Sequence, residues 1–228
     1  MKNKQMKKIA SILMVFVTAL GFSQVTKNLG EFDSVSVFDK ISVELIDSNE
    51  NRIEITGSRA NDVEIVNKNG TLKIRMAVKN ILDGEDVSVK LYFKDINEIS
   101  ANEGSYVICD TPIKQTAIKV DTKEGAEVRL NLDVKKVNLR AVTGGILKIK
   151  GKATNSDVSL GTGGVLQAED LQTVQTSIKI TTGGEADIRA SELVDAKVRA
   201  GGNITIYGSP QQINKSTTLG GSINESKR

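Results

Sequence analysis

Three kinds of side chain in this 228-residue chain could do chemistry: scattered carboxylates, a single cysteine, and threonines at a regular interval. The carboxylates are Asp157, Glu169-Asp170, Glu185, Asp187, Glu192 and Asp195. Cleaving a glycosidic bond needs two such acids facing each other across a groove. These acids fall on outward positions, with no dense cluster and no long substrate-shaping loop beside them. Histidine is absent from the chain. That removes Ser-His-Asp and Cys-His catalysis, the usual zinc sites and ordinary imidazole acid–base work. The expectation is a protein that is not an enzyme and holds no cofactor and no metal. Cys109 has no partner for an intramolecular disulfide and reads as a small buried or corner residue.

Thr143, Thr162 and Thr182 each stand two residues before a glycine that closes a turn, and Thr122 stands three before one. On stacked repeats they would form a hydroxyl ladder, either bonding neighbouring repeats or offering a regular array to a repetitive surface such as ice or glycan. Ice binding needs two such rows, and only Thr181-Thr182 is an adjacent pair. Gly145 to Lys152 has the wrong spacing for a phosphate loop, with Ala153 where the metal-binding hydroxyl belongs. Gly161-Thr162-Gly163-Gly164 lacks the third glycine of a dinucleotide fingerprint. Both are turns. Calcium-binding coils of the Gly-Gly-x-Gly-x-Asp type do not match either.

The elements that must position these residues are set by the glycines. Glu103-Gly104, Glu124-Gly125, Gly144-Gly145, Gly163-Gly164, Gly183-Gly184, Gly201-Gly202 and Gly220-Gly221 recur at intervals of 21, 20, 19, 20, 18 and 19 residues. A fixed period near 20 means stacked supersecondary units. After most turns apolar residues alternate with polar ones: Leu147 and Ile149, Leu166 and Ala168, Ala186 and Ile188, Ile204 and Ile206. A second short strand follows, as in Val137-Asn138-Leu139 or Val158-Ser159-Leu160. One further inward residue lies between the two, such as Ile113, Val134, Ala153, Leu171, Leu193 or Ile213. Each unit thus offers about five inward side chains. After Gly125 the inward set falls at odd offsets, Ala126, Val128 and Leu130, which a one-residue bulge would restore.

The pattern predicts an all-β, right-handed parallel β-helix or solenoid over residues 101–224 with coils of about 20 residues. Residues 24–100 read as a less regular β region, part of the same domain or a cap on its open end, with Asn69-Gly70 marking a hairpin. Residues 225–228 read as a polar tail. Residues 1–23 read as a signal peptide: Lys2, Lys4, Lys7 and Lys8, an apolar run from Ile9 to Phe22, then small residues before Gln24. Removing four lysines leaves 27 basic against 28 acidic residues, so the alkaline balance is no sign of nucleic-acid binding.

The opening, Phe32-Asp33-Ser34-Val35-Ser36-Val37 with Ile41-Ser42-Val43-Glu44-Leu45, Ile53-Glu54-Ile55 and Asn69-Gly70-Thr71-Leu72-Lys73-Ile74, carries a resemblance. So do the later Gly-Gly repeats and the ending, Ile206-Tyr207-Gly208-Ser209-Pro210, Ile213-Asn214-Lys215-Ser216 and Gly220-Gly221. Over residues 25 to 224 the chain resembles the auto-transporter adhesin, head GIN domain family of Bacteroidetes-type bacteria. The departures are Glu103 and Glu124 in place of a glycine, and the absence of a lipoprotein cysteine. The resemblance implies an exported β-solenoid of the periplasm or outer cell surface and brings no binding residues with it. The function it implies is adhesin-like binding of a protein or glycan through outward faces. A periplasmic scaffold or envelope-stress module is the alternative, and a carbohydrate-active enzyme a third. No membrane span is expected after cleavage, and self-association is left open.

Overall fold

The computed structural model describes residues 24–226; the segment read as a signal peptide lies outside them, as do residues 227 and 228. The chain alternates strands and turns from one end to the other. Its first half holds β1 (Gln24–Asn28), β2 (Ser34–Val37), β3 (Ser42–Asp47), β4 (Arg52–Thr56), β5 (Val63–Lys68), β6 (Thr71–Met76), β7 (Ser88–Phe93) and β8 (Glu98–Ala101). Then come five long strands, β9 (Tyr106–Thr122), β10 (Glu127–Val142), β11 (Ile146–Gly161), β12 (Val165–Ile180) and β13 (Glu185–Ala200). The chain closes with β14 (Asn203–Tyr207), β15 (Gln212–Leu219) and β16 (Ser222–Glu225). Three single turns of 3-10 helix interrupt the first half.

Each long strand is one coil. It leaves a glycine turn, runs along one face, bends, and returns along the second face to the next turn. Parallel pairing stacks β9 to β13 rung on rung. Leu147, Leu166, Ala186 and Ile204 form one inward column as the spacing predicts, and each is at most 1% exposed. The column continues through Val128, Val107 and Val43 on one side and to Ile223 on the other. Stacking buries the inward side chains of the middle coils between two neighbours, worth roughly 1.5–3 kcal/mol for each fully buried Leu, Ile or Val.

A coil buries more than the alternation suggests. In β10 the inward residues are Val128, Leu130, Leu132, Val134, Val137, Leu139 and Ala141, seven rather than about five, because the strand stays extended around its bend. The bend is marked where alternation breaks: Lys135 and Lys136 both face out, and Lys136 stacks on Asn155, Gln175 and Leu193. Leu193 is therefore a half-buried corner residue, and Ala190 takes the inward place beside Thr173. Leu171 stacks on Gly151 rather than on Ala153. Ser156, Thr173 and Thr176 occupy inward positions despite their hydroxyls; Thr173 Oγ1 lies 2.8 Å from Thr176 Oγ1 and donates to Arg189 O at 2.6 Å.

The first half joins the same stack in a different order. The coil made by β2 and β3 lies between the coil of β6 and β7 and the start of β8 and β9, all pairing in parallel. Outside β7 the direction reverses: β4 pairs antiparallel to β7, and β1 antiparallel to β4. On the other face β5 pairs antiparallel to β6 through the Asn69-Gly70 hairpin. These antiparallel strands end the parallel stack on that side.

The turns correct the phase read from the glycines. The residues in left-handed backbone are Glu103-Gly104, Glu124-Gly125, Thr143-Gly144 and Thr162-Gly163. The glycine that aligns with Gly125 is Gly144, and Ser105 and Ala126 occupy the place of Gly145. No bulge is needed after Gly125. The odd offsets of Ala126, Val128 and Leu130 come from matching it to the wrong glycine of the pair. The two glycines serve different ends. Gly144 supplies a positive φ of 74°, whereas a Cβ on Gly145 would come within 2.5 Å of Thr122 O.

Asp39-Lys40 belongs to the same turn column, with φ of 59° and 61°. Lys40 N donates to Glu103 O as Gly104 N donates to Glu124 O and Gly125 N to Thr143 O. Asp39, Glu103 and Glu124 thus stand on successive coils. Burial pushes the Glu103 carboxyl above its ordinary value, and the hydrogen bond and negative charge of Asp39, then the charge of Glu124, push it further. Asp39 is itself buried and accepts Met76 N–H at 2.9 Å.

Four variants test these assignments. Leu160→Asp, which buries an unpaired charge at a position 1% exposed, should lower stability by about 4 kcal/mol or more. Lys148→Asp, on the outward face, should cost about 1 kcal/mol or less; urea midpoints of the two variants separate them. Thr162→Asn should raise the urea midpoint, because a β-branched residue at a φ of 49° carries roughly 1–2 kcal/mol of strain that Asn largely avoids. Glu103→Gln should raise the melting temperature at neutral pH and leave it unchanged in acid. A carboxyl with a raised folded pKa stabilises the fold while protonated and loses that contribution as pH climbs through the folded value.

Candidate functional site

Most of the acids singled out by sequence stay apart. Asp157 pairs outward with Lys136 at 2.9 Å, and Asp195 with Lys197 at 2.9 Å. Glu185 and Asp187 lie on the outer face of the first half of β13, and Glu192 at its bend. Glu169 and Asp170 enter a concave surface together, whereas Asp157 lines a separate hollow with Lys119 and Arg140. The acids that do meet, Asp39 and Glu103, were missed because 64 residues separate them. The equivalence of Asp39-Lys40 with the later glycine turns would have revealed them, but neither residue is a glycine. Among the described residues no group of three or more His, Cys, Asp or Glu is arranged to hold a metal ion.

The threonine ladder is broken. Thr122 points inward, fully buried between Ala101 and Ala141, and its Oγ1 has no hydrogen-bond partner among the described residues. Thr143 and Thr162 do stack, and both are exposed at the turns. Thr182 is displaced, because Gly183 takes the equivalent place and accepts from Gly163 N. Two hydroxyls make no array. Cys109 is buried; its thiol donates to Thr111 O at 3.4 Å, and burial pushes its pKa up, away from the reactive thiolate.

The concave surface arises where coil lengths differ. From Gly164 to Gly184 the coil has 20 residues, and from Gly184 to Gly202 it has 18. Between the pairs Ala168–Ile188 and Thr173–Ala190, β12 spends five residue steps where β13 spends two. The bend of β12 therefore protrudes as a ridge at Glu169-Asp170, while β13 cuts the corner. Beside the ridge lies a groove of 770 Å³ lined by Asp133, Lys152, Asp170, Gln172, Arg189 and Ser191, among others. Asp170 also lines a second hollow of 300 Å³ with Asp110, Arg129, Lys148 and Lys150.

Hydrogen bonds tie the wall of the groove together over an apolar floor that includes Val134, Ala153 and Ala190. Arg189 Nε donates to Glu169 O at 2.6 Å, and its guanidinium sits 5.7 Å from the centre of the Tyr207 ring. Ser191 Oγ donates to Thr173 O at 3.4 Å. Glu169 Oε2 is buried and has no hydrogen-bond partner among the described residues, so the ridge carries an acceptor in want of a donor. The lining mixes two carboxylates with two cations and a primary amide. Such a surface is suited to hydroxyl-rich ligands, whose donors and acceptors alternate around a ring.

Comparison with known proteins agrees with this architecture. The crystal structure of a "putative adhesin" from Bacteroides fragilis superimposes with a TM-score of 0.84, at 19% identity over 91% of this chain and 98% of that one. A "putative adhesin" from Parabacteroides merdae gives a TM-score of 0.70 at 19% identity, covering 92% of this chain and 98% of the other. A "putative lipid binding protein" from Parabacteroides distasonis gives 0.69 at 18% identity, over 92% and 98% of the two chains. At these identities the likeness is one of fold. No curated protein matches. The model of one family matches residues 31–210, which is most of the chain, and on that ground the protein belongs to the family described as "Putative auto-transporter adhesin, head GIN domain".

Proposed function

We propose that this protein is a non-enzymatic binding protein of the cell envelope or cell surface, exported by its N-terminal segment. We further propose that it takes a neutral saccharide in the groove beside Glu169-Asp170. The observation that carries the reading is the groove itself, a hollow of 770 Å³ whose charged lining residues are balanced in sign and spread over several coils. Asp133 and Asp170 can accept from ligand hydroxyls, Lys152 and Arg189 can donate to them, and Gln172 can do both. Balanced charge favours a neutral ligand over an anionic or cationic one.

Family membership and the fold shared with structures described as "putative adhesin" support a binding role. Hydrolysis would need an acid kept protonated at working pH and set across the groove from a second carboxylate. The carboxyl that burial pushes up, Glu103, stands in the turn column and not among the groove residues. No helix among the described residues is long and apolar enough to cross a membrane.

The reading is tested by screening purified protein against neutral and acidic oligosaccharides, followed by calorimetry on any hit. Asp170→Asn and Arg189→Gln should each weaken binding about tenfold or more, the loss of one or two charge-assisted hydrogen bonds. Asp157→Asn, on another face, should leave it unchanged. Binding that survives both groove substitutions would place the ligand elsewhere, and products released from the saccharide would make the protein an enzyme.

A further inference from the structure

The last coil places charged residues in columns that are apolar in the coils before it. In the inward column of Val158, Ile178 and Ala196 the next residue is Lys215. In the column of Ala168, Ile188 and Ile206 it is Glu225. Glu225 is thus no tail residue but the inward-facing end of β16. The two side chains reach each other, with Nζ 2.6 Å from Oε1. They cover a dry interior, since Ala196 and Ile206 above them are at most 1% exposed. Ala196 leaves room for the aliphatic stem of Lys215 to lie over the core while its head group stays in water. The neighbouring inward places hold Ile213 and Ile223, both half-buried, and Thr217, which is exposed.

This coil also presents the free backbone edge of β15 and β16, which on their outer side pair with nothing among the described residues. An edge with apolar inward columns beneath it would accept another copy as the next coil. The opposite end is treated alike but less strictly. On β1, Lys27 takes the inward place beside Ile53, and antiparallel pairing already ends the parallel stack there.

We propose that Lys215 and Glu225 form a charged bolt across the open end of the solenoid, which keeps a second copy of this chain from stacking on it. Joining two such ends would bury a lysine and a glutamate from each copy in the space where every other coil places aliphatic side chains. The pair contributes little to the stability of a single molecule, because both partners are well exposed, at 36% and 58%. Its effect falls on the alternative, associated state.

The test compares two double variants by sedimentation and light scattering over a wide concentration range. Lys215→Val with Glu225→Leu restores apolar columns to the edge. Its mass should rise toward twice the monomer value, because end-to-end contact between two identical edges closes as a dimer. Asp195→Leu with Lys197→Val removes an equivalent ion pair that faces outward one coil earlier, and should stay monomeric. The reversed pair, Lys215→Glu with Glu225→Lys, should also stay monomeric; it keeps the proposal testable if the apolar variant fails to fold. A monomeric apolar variant, equal association by the outward control, or association of the reversed pair would each overturn the proposal.

Discussion

Everything in this molecule follows from the fact that a single coil cannot bury its own inner face. A strand of one face is too thin to exclude water from both sides of its side chains. It becomes dry only when a like strand lies ~4.8 Å away on each side, joined by parallel backbone hydrogen bonds. Inward residues are therefore chosen in columns, not singly. Leu147 is buried because Val128 and Leu166 flank it in the stack, and a change at one level is felt by both neighbours. The outward face is freed from this demand. It carries the ion pairs, such as Glu127 with both Arg129 and Lys148, and whatever surface the protein uses for recognition.

Periodicity makes the architecture legible in the sequence alone. Alternation after each glycine pair located Leu147, Leu166, Ala186 and Ile204 on one column. What it could not supply was phase. Glu124-Gly125 and Gly144-Gly145 look alike when aligned at the end of each pair. Backbone geometry aligns Gly125 with Gly144, because the turn needs a left-handed residue there; the place after it is held by Ser105 and Ala126 in the earlier coils and by Gly145 in the next. Thr122 stands one residue further from its glycine than Thr143, Thr162 and Thr182 do, and so it lies inside while Thr143 and Thr162 lie outside. The bends were hidden for a related reason. Two consecutive outward residues, as at Lys135-Lys136, shift the parity of everything downstream, and a reading by fixed offset does not register the shift.

The candidate site was the least visible part, because no motif marks it. It is a product of counting: a coil of 20 residues beside one of 18 leaves extra chain on one rung and too little on the next. The surplus becomes the ridge at Glu169-Asp170, and the deficit becomes the groove. Glu169 and Asp170 are visible in the sequence as acids, but the meeting of Asp170 with Lys152 and of Glu169 O with Arg189 depends on where β12 and β13 lose register. In a repeat protein, irregular intervals are thus more informative about a site than the repeat itself.

The strand order of the first half has a bearing on how the chain acquires its shape. The coil of β2 and β3, made first, ends up with neighbours on both sides. One neighbour is β6 and β7, and the other begins at β8 and β9. Its inner face stays wet until the chain has extended to about Ile108, where the pairing of β3 with β9 ends. Up to that point the contacts are distant in sequence and costly in loop entropy. Beyond it each coil docks on the one before, about 20 residues away. The slow, committing step of folding thus belongs to the first half of the chain, and the rest can zip on in one direction.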